Sequence, residues 1–301
     1  LIFIWLFAIF IDFGSSVIRS CVMISAYYFY VLLQRKPDLL HAMAISGLAI
    51  LIFDTNQLFD VGFQLSFIAV FGIFWLNEPI LKYLPKPKNN VQNFLVNVVS
   101  ISIAAQVATL PLVIYYFHQY SLISILANLI IIPFSEIIII SSLVMTALLV
   151  FKIDFSLFNL IYDFMVNTLL SAIKWFANLD FAFFKNIPMT LLEASLLLLS
   201  FYFLRDVLLK KDFKSAVRFS YGMLIFFALR ISLNFYHYQR DEVLATNYFR
   251  DNVLVSKHHG EAVFYIREKS KPDKIEKYIV EPYLNSRRIK DFKIETVKPN
   301  V

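Results

Sequence analysis

At 301 residues the chain could form one large domain or two small ones, but 59% of it is hydrophobic and only 17% is charged, against roughly 45–50% and 25% in soluble domains. A globule of this size must cover its outside with polar groups, and this chain has too few, so a soluble globular enzyme and a disordered chain are both excluded. The net charge of +6 is unevenly placed: 27 of the 236 residues before His237 are charged, against 23 of the 65 from His237 onward. That shift predicts a membrane domain over 1–236 and a water-exposed segment over 237–301.

A membrane-spanning helix needs about 20 mainly apolar residues. In chain order the spans are predicted at 1–12, which reads as a helix cut in its middle with residues upstream missing, then 15–33, 38–53, 59–80, 91–116, 121–151, 155–178, 188–205 and 216–235. The fold class is therefore an all-α polytopic membrane protein with about eight to nine transmembrane helices, some broken, followed by a small β-rich soluble segment. Helix 155–178 carries Asn159, Asp163, Asn167 and Lys174; two readings stay open, a span or a helix lying flat in the interface.

Loop charge sets the orientation. With Arg35 and Lys36 in the cytoplasm, alternation places Lys82, Lys86, Lys88, Lys152, Arg205, Lys210, Lys211, Lys214 and Arg218 there too. Asp12, Asp54, Asp180 and Lys185 then lie outside, and so does the tail. In the tail, 252–257 and 261–267 read as strands joined by a His258-His259-Gly260 hairpin, with further strands at 277–280 and 292–297. At about 65 residues this is a marginal unit, read as part of a domain continuing past Val301.

Polar groups at bilayer depth are costly and by default point to function. Asp60 and Gln64 share a helix face, while Gly62, Ser66 and Ala69 form a second face of small residues suited to close helix approach; the stretch reads either as a functional cluster or as a packing surface with a capped helix start. Arg19 lies near the outer end of its helix, within reach of Asp12, Asp54 or Asp60. It reads equally as a snorkelling ion pair or as a fixed positive charge on an anion path. Pro111, after Gln106 and Thr109, and Pro133, between Asn128 and Glu136, read equally as plain kinks or as broken helices with polar groups beside them. Asp60 and Glu136 are expected to be paired or capped, Asp60 by Arg19. The single Cys21 excludes a disulfide framework. His258-His259 has no partner ligands at zinc spacing, and no nucleophile triad or Gly-rich phosphate loop is present. No catalytic residue, metal or cofactor is read from the sequence.

Three ordered stretches carry a resemblance. They are Asp54-Thr-Asn-Gln-Leu-Phe-Asp-Val-Gly-Phe-Gln-Leu-Ser-Phe-Ile-Ala-Val-Phe-Gly-Ile73, Ala105-Gln-Val-Ala-Thr-Leu-Pro-Leu-Val-Ile-Tyr-Tyr-Phe-His-Gln-Tyr120 and Leu126-Ala-Asn-Leu-Ile-Ile-Ile-Pro133. With Gly14–Met23, they resemble the membrane domain of the ComEC competence family. The resemblance implies passage of single-stranded DNA through the bacterial inner membrane during natural transformation. It also implies as partners a DNA receptor, a cytoplasmic translocase and, as a homo-oligomer, further copies of the chain. By resemblance, Arg19, Asp60, Gly62, Gln64, Ser66, Gln106, Thr109, Pro111 and Asn128 fall on motif positions. Arg19, Gln64, Ser66, Gln106, Thr109 and Asn128 are the candidates to line a DNA path; Asp60, Gly62, Pro111 and Pro133 are structural. Family members commonly add an outer oligonucleotide-binding-like domain and a C-terminal metallo-β-lactamase-like domain; neither pattern is found in this chain. The alternatives are a secondary transporter of a small anion or lipid-like solute, and an enzyme whose His-x-His-x-Asp-His run would lie after Val301.

Overall fold

The computed structural model describes residues 1–34, 38–150, 156–179, 183–248, 251–267 and 272–297. Arg35, Lys36, Lys152 and Asp180, which carry part of the orientation argument, lie outside the described residues. Among the described residues nine helices precede the tail: α1 (Ile2–Phe10), α2 (Ser15–Leu32), α3 (Leu39–Phe53), α4 (Val61–Leu81), α5 (Asn90–Phe117), α6 (Ser124–Val150), α7 (Ser156–Ala177), α8 (Leu191–Lys210) and α9 (Phe213–Gln239). Five of them, α2, α4, α5, α6 and α9, are long and apolar enough to cross a membrane, and α3 is a shorter apolar helix. The polar α7 is not among the five. Large apolar side chains point outward along these helices, Phe3 at 85% exposure and Phe53 at 92%. In water such a surface would aggregate, whereas in lipid it is the solvated face.

The chain divides into two compact units, one of residues 1–109 and 121–184, the other of 110–120 and 185–301. In the first, α2 packs on α3, α3 on α4 and α6 on α7. Aspartates start two of its helices and the turn between them. Asp38 accepts from Leu40 N–H at 2.9 Å, Asp54 from Asn56 N–H at 3.0 Å in the 3₁₀ turn Thr55–Phe59, and Asp60 from Phe63 N–H at 2.7 Å. Each satisfies a donor that a helix start leaves open. Helices α4 and α5 approach closely at Gly72, where a Cβ would lie 2.1 Å from the Ala108 Cβ on α5, so only glycine fits.

Neither proline breaks its helix: α5 runs on through Pro111 and α6 through Pro133. The expected breaks are therefore corrected to uninterrupted helices. A proline removes one intrahelical donor, here the partner of the Val107 carbonyl, and a long apolar helix held by its other bonds absorbs that loss.

In the second unit α8 and α9 are joined by a two-residue turn and meet at Gly222, which lies against Ser200. Ile114, Met189, Ala194, Leu197 and Phe226 form the core there. The tail folds as β1 (Glu242–Tyr248), β2 (Asp251–His258), β3 (Glu261–Arg267), α10 (Pro272–Ile275), a π turn (Glu276–Val280), α11 (Glu281–Arg287) and β4 (Asp291–Val297). The sheet order is β1-β2-β3-β4, with β1-β2 and β2-β3 antiparallel and β3-β4 parallel. The hairpin forms at His259-Gly260, flanked by the pair His258↔Glu261. The strand expected at 277–280 is instead helical. Ile275, Ile279, Val280, Tyr283 and Leu284 recur at helical spacing, and all are buried against Val253, Val255, Phe264 and Ile266 of the sheet. A parallel β3-β4 pair also needs a crossover, which these helical turns supply.

Candidate functional site

The polar residues at the start of α4 form one cluster. Arg19, in the second turn of α2, is 6% exposed. Its Nη1 donates to Asp60 Oδ1 at 3.2 Å, forming the expected ion pair, and its Nε is buried without a partner. The same Asp60 oxygen accepts the Phe63 N–H, so one carboxylate caps α4 and neutralises the guanidinium. Gly62 leaves room for this arrangement: a Cβ there would lie 2.8 Å from Arg19 Nη2 and 3.1 Å from Asp60 Oδ1. One turn further, Gln64 Nε2 donates to the Leu58 carbonyl at 2.8 Å, tying α4 back to the 3₁₀ turn. Asp54 holds the other end of that turn by accepting from Gln57 Nε2 at 3.0 Å. Arg19, Asp54 and Gln57 also line a cavity of about 310 Å³ whose other walls include Trp5, Ile18 and Phe53.

The other candidates sit elsewhere in the fold. Ser66 gives its hydroxyl to the Phe63 carbonyl at 3.0 Å and Thr109 gives its own to the Ala105 carbonyl at 2.9 Å, both within their own helices. Gln106 is half-buried on α5 and Asn128 half-buried on α6. Pro111 is fully buried inside α5, and Pro133 half-buried inside α6. Thus Arg19, Asp60, Gly62 and Gln64 gather at the α4 start, while Gln106 and Thr109 belong to α5 and Asn128 to α6. Glu136 is exposed on α6 with no hydrogen bond or ion pair among the described residues, which corrects the expectation that it is paired.

A second ionic cluster was not anticipated. Glu193 is fully buried on α8. Its carboxylate accepts from Thr190 N–H and Oγ1, from Arg230 Nη1 of α9 at 3.4 Å, and from Arg288 Nη2. Arg288 Nη1 reaches Asn234 Oδ1 at 2.7 Å, and Arg230 Nη1 also donates to the Pro188 carbonyl at 3.0 Å. One carboxylate thereby joins α8, α9 and the turn before β4. The Thr190-x-x-Glu193 capping box was the readable sign of that helix start; nothing in the spacing foretold that two distant arginines share its acid. Beside the cluster, Arg230, Arg287, Arg288, His237, Tyr238 and Asn234 line a cavity of about 830 Å³.

The tail has its own charge pairing. Arg287 Nε donates to both Glu242 oxygens, at 2.9 and 3.1 Å, and the Tyr283 hydroxyl donates to Oε1 at 3.3 Å. Burial alone would raise the Glu242 acid, but the Arg287 hydrogen bonds and charge outweigh it and hold the carboxyl below its ordinary value. Burial, reinforced by the Glu242 charge, pushes Tyr283 up to about 12. Lys257 is buried on β2, and its ammonium donates to the carbonyls of His237 and Arg240 at the end of α9, where unpaired carbonyls favour a cation.

Comparison with known proteins gives three findings. A family model described as Competence protein matches residues 1–210. ComE operon protein 3 of Bacillus subtilis (strain 168) is 31% identical over 134 residues, covering 44% of this chain and 16% of that relative, so the chain spans only a small part of its length. No solved structure matches the chain significantly. The family match extends over more than half of the residues and contains the α2–α4 cluster with its Arg19–Asp60 pair, and by it this membrane protein belongs to the competence protein family of the ComEC type.

Proposed function

We propose that the chain is part of an inner-membrane channel that passes single-stranded DNA into the cytoplasm during natural transformation. The observation that carries this reading is the family match over the segment holding the Arg19–Asp60 pair. The wall of a DNA path needs cationic and amide donors for phosphates and must not present uncompensated acids. Two features support that: Asp60 is neutralised by Arg19, and Gln64 places an amide one turn on. In this reading Arg19, Gln64, Ser66, Gln106, Thr109 and Asn128 line the path, and Asp60, Gly62, Pro111 and Pro133 shape it. Residues 1–236 form the eight or nine spans, and 237–301 stand outside the cytoplasm. A DNA receptor delivers the strand and a cytoplasmic translocase draws it in, while residues 1–301 serve as the conduit.

The test is a clean deletion in the native host, complemented by the wild-type chain, by Arg19→Ala or by Gln64→Ala. Imported labelled DNA is scored separately in periplasm and cytoplasm. Label stalled outside the inner membrane in the deletion and in both variants, at normal membrane levels of each variant, supports the channel. Unchanged cytoplasmic entry in the deletion refutes it.

A further inference from the structure

The His258-His259 pair has no ligand partner in its sequence neighbourhood, but the fold supplies one. Asp241 follows the last turn of α9, which ends at Gln239, and the β2-β3 hairpin carries both histidines back to it. His258 Nδ1 lies 2.7 Å from Asp241 Oδ2, and His259 Nδ1 lies 3.8 Å from Asp241 Oδ1. One ligand atom from each of the three residues can be chosen so that all lie within 4.8 Å of one another, and all three residues are exposed to solvent. We propose that Asp241, His258 and His259 form a surface site for a divalent transition-metal ion of the zinc class, which clasps the hairpin to the end of α9.

The chemistry of the donors selects the class. Imidazole nitrogens suit zinc, nickel and copper, while one carboxylate among two histidines is a poor set for calcium or magnesium, which take mainly oxygen ligands. Donors bound at 2.0–2.2 Å to a tetrahedral ion stand about 3.4 Å apart. The distances of 2.7 Å from His258 Nδ1 to Asp241 Oδ2 and 3.8 Å from His259 Nδ1 to Asp241 Oδ1 lie on either side of that value, so side-chain rotation brings the three groups to one ion. Water would fill the remaining position.

The site is held in place before any ion arrives. The His259 N–H donates to Asp241 Oδ1 at 3.0 Å, fixing the carboxylate. His259 and Gly260 both have positive φ, 44° and 87°, as a tight two-residue hairpin turn requires. A Cβ on Gly260 would lie 2.8 Å from the Tyr238 ring, so the turn sits directly on the end of α9. Lys257, the residue before the pair, anchors the same strand to the carbonyls of His237 and Arg240.

One change accompanies binding. Without an ion His258 bridges its neighbours, Nδ1 toward Asp241 and Nε2 3.0 Å from His259 Nδ1. Two imidazole nitrogens at that distance share a proton. When the ion takes one nitrogen from each ring, His258 turns, the contact between the rings opens, and each ring carries its proton on the nitrogen left unbound. The site is distinct from the His-x-His-x-Asp-His run sought above, because its acid precedes the histidines and comes from the helix end.

Calorimetric titration of Zn²⁺ into the full chain, purified in detergent and stripped with chelator, tests the proposal at about pH 8. One ion binds per chain. His258→Ala, His259→Ala and Asp241→Asn each weaken binding by more than the roughly 10–100-fold that an outer-shell partner is worth. His41→Ala, which removes a histidine of the Asp38–His41 pair far along the chain, leaves binding unchanged. Far-UV circular dichroism confirms that each variant is folded. No binding at millimolar Zn²⁺, or binding equal to wild type in folded His258→Ala and His259→Ala, overturns the site. DNA uptake is not the readout, so failure here leaves the channel reading intact.

Discussion

Asp60 does two separable jobs, and its substitutions distinguish them. Its Oδ1 caps α4 through Phe63 N–H and also receives Arg19 Nη1. Loss of an N-cap costs about 1 kcal/mol. Loss of the partner of a buried charge costs about 3–5 kcal/mol when both groups are buried. The Asp60 side chain is 45% exposed while that of Arg19 is 7%, so water screens part of the pair, and about 2 kcal/mol is the reasonable share. Asp60→Ala should therefore lose about 3 kcal/mol and Asp60→Asn, which keeps an oxygen for the cap, about 2 kcal/mol. Gly62→Ala should also destabilise, because its methyl would stand 2.8 Å from Arg19 Nη2. The assay is reversible unfolding in mixed detergent micelles followed by tryptophan fluorescence, with Trp5 and Trp75 near the affected helices. If Asp60→Asn matches wild type, the ion pair contributes nothing and the argument fails; if Asp60→Ala is no worse than Asp60→Asn, the cap is not formed.

Glu193 is buried between two arginines, so Glu193→Ala should cost about 3–5 kcal/mol, since it strands both charges. Circular dichroism melts of the variant read this, and a melt within error of wild type would count against the cluster. In the tail, the raised Tyr283 acid favours the folded state while the hydroxyl keeps its proton. That stability is complete below the unfolded value of about 10 and is lost as pH rises toward about 12. The spectroscopic tyrosinate titration should show Tyr283 ionising late, and Tyr283→Phe should reduce the late amplitude. Glu242, held below its ordinary value, stabilises the sheet above about pH 4, and that contribution is lost as pH falls through its lowered value. Tail stability should drop in acid, and less so in Glu242→Gln.

Local signals carried much of the fold. The apolar runs located α2 through α6, and the short β-type runs around His258-His259-Gly260 located the hairpin. The Arg19–Asp60 pair was legible because buried charges need partners and few acids stood near that end of α2. What escaped depends on distance along the chain. Tyr278, Ile279 and Val280 have side chains common in strands, and only the buried Ile275–Leu284 face makes the segment helical. Glu193 meets Arg288 across 95 positions, and Asp241 meets the histidines across a hairpin. No local pattern encodes such meetings. The prolines misled for a different reason: Pro111 and Pro133 weaken a helix locally, and the surrounding bonds of two long helices prevail.

The central claim is that side chains on the path, and not the lipid-facing ones, meet the strand. A photo-activated cross-linking amino acid placed singly at 64, at 106 and at the exposed apolar Ile140 of α6 measures this during uptake of labelled DNA. The account predicts label captured at 64 and 106 and none at 140. Capture at 140, or none at 64 and 106 while DNA enters normally, would contradict it.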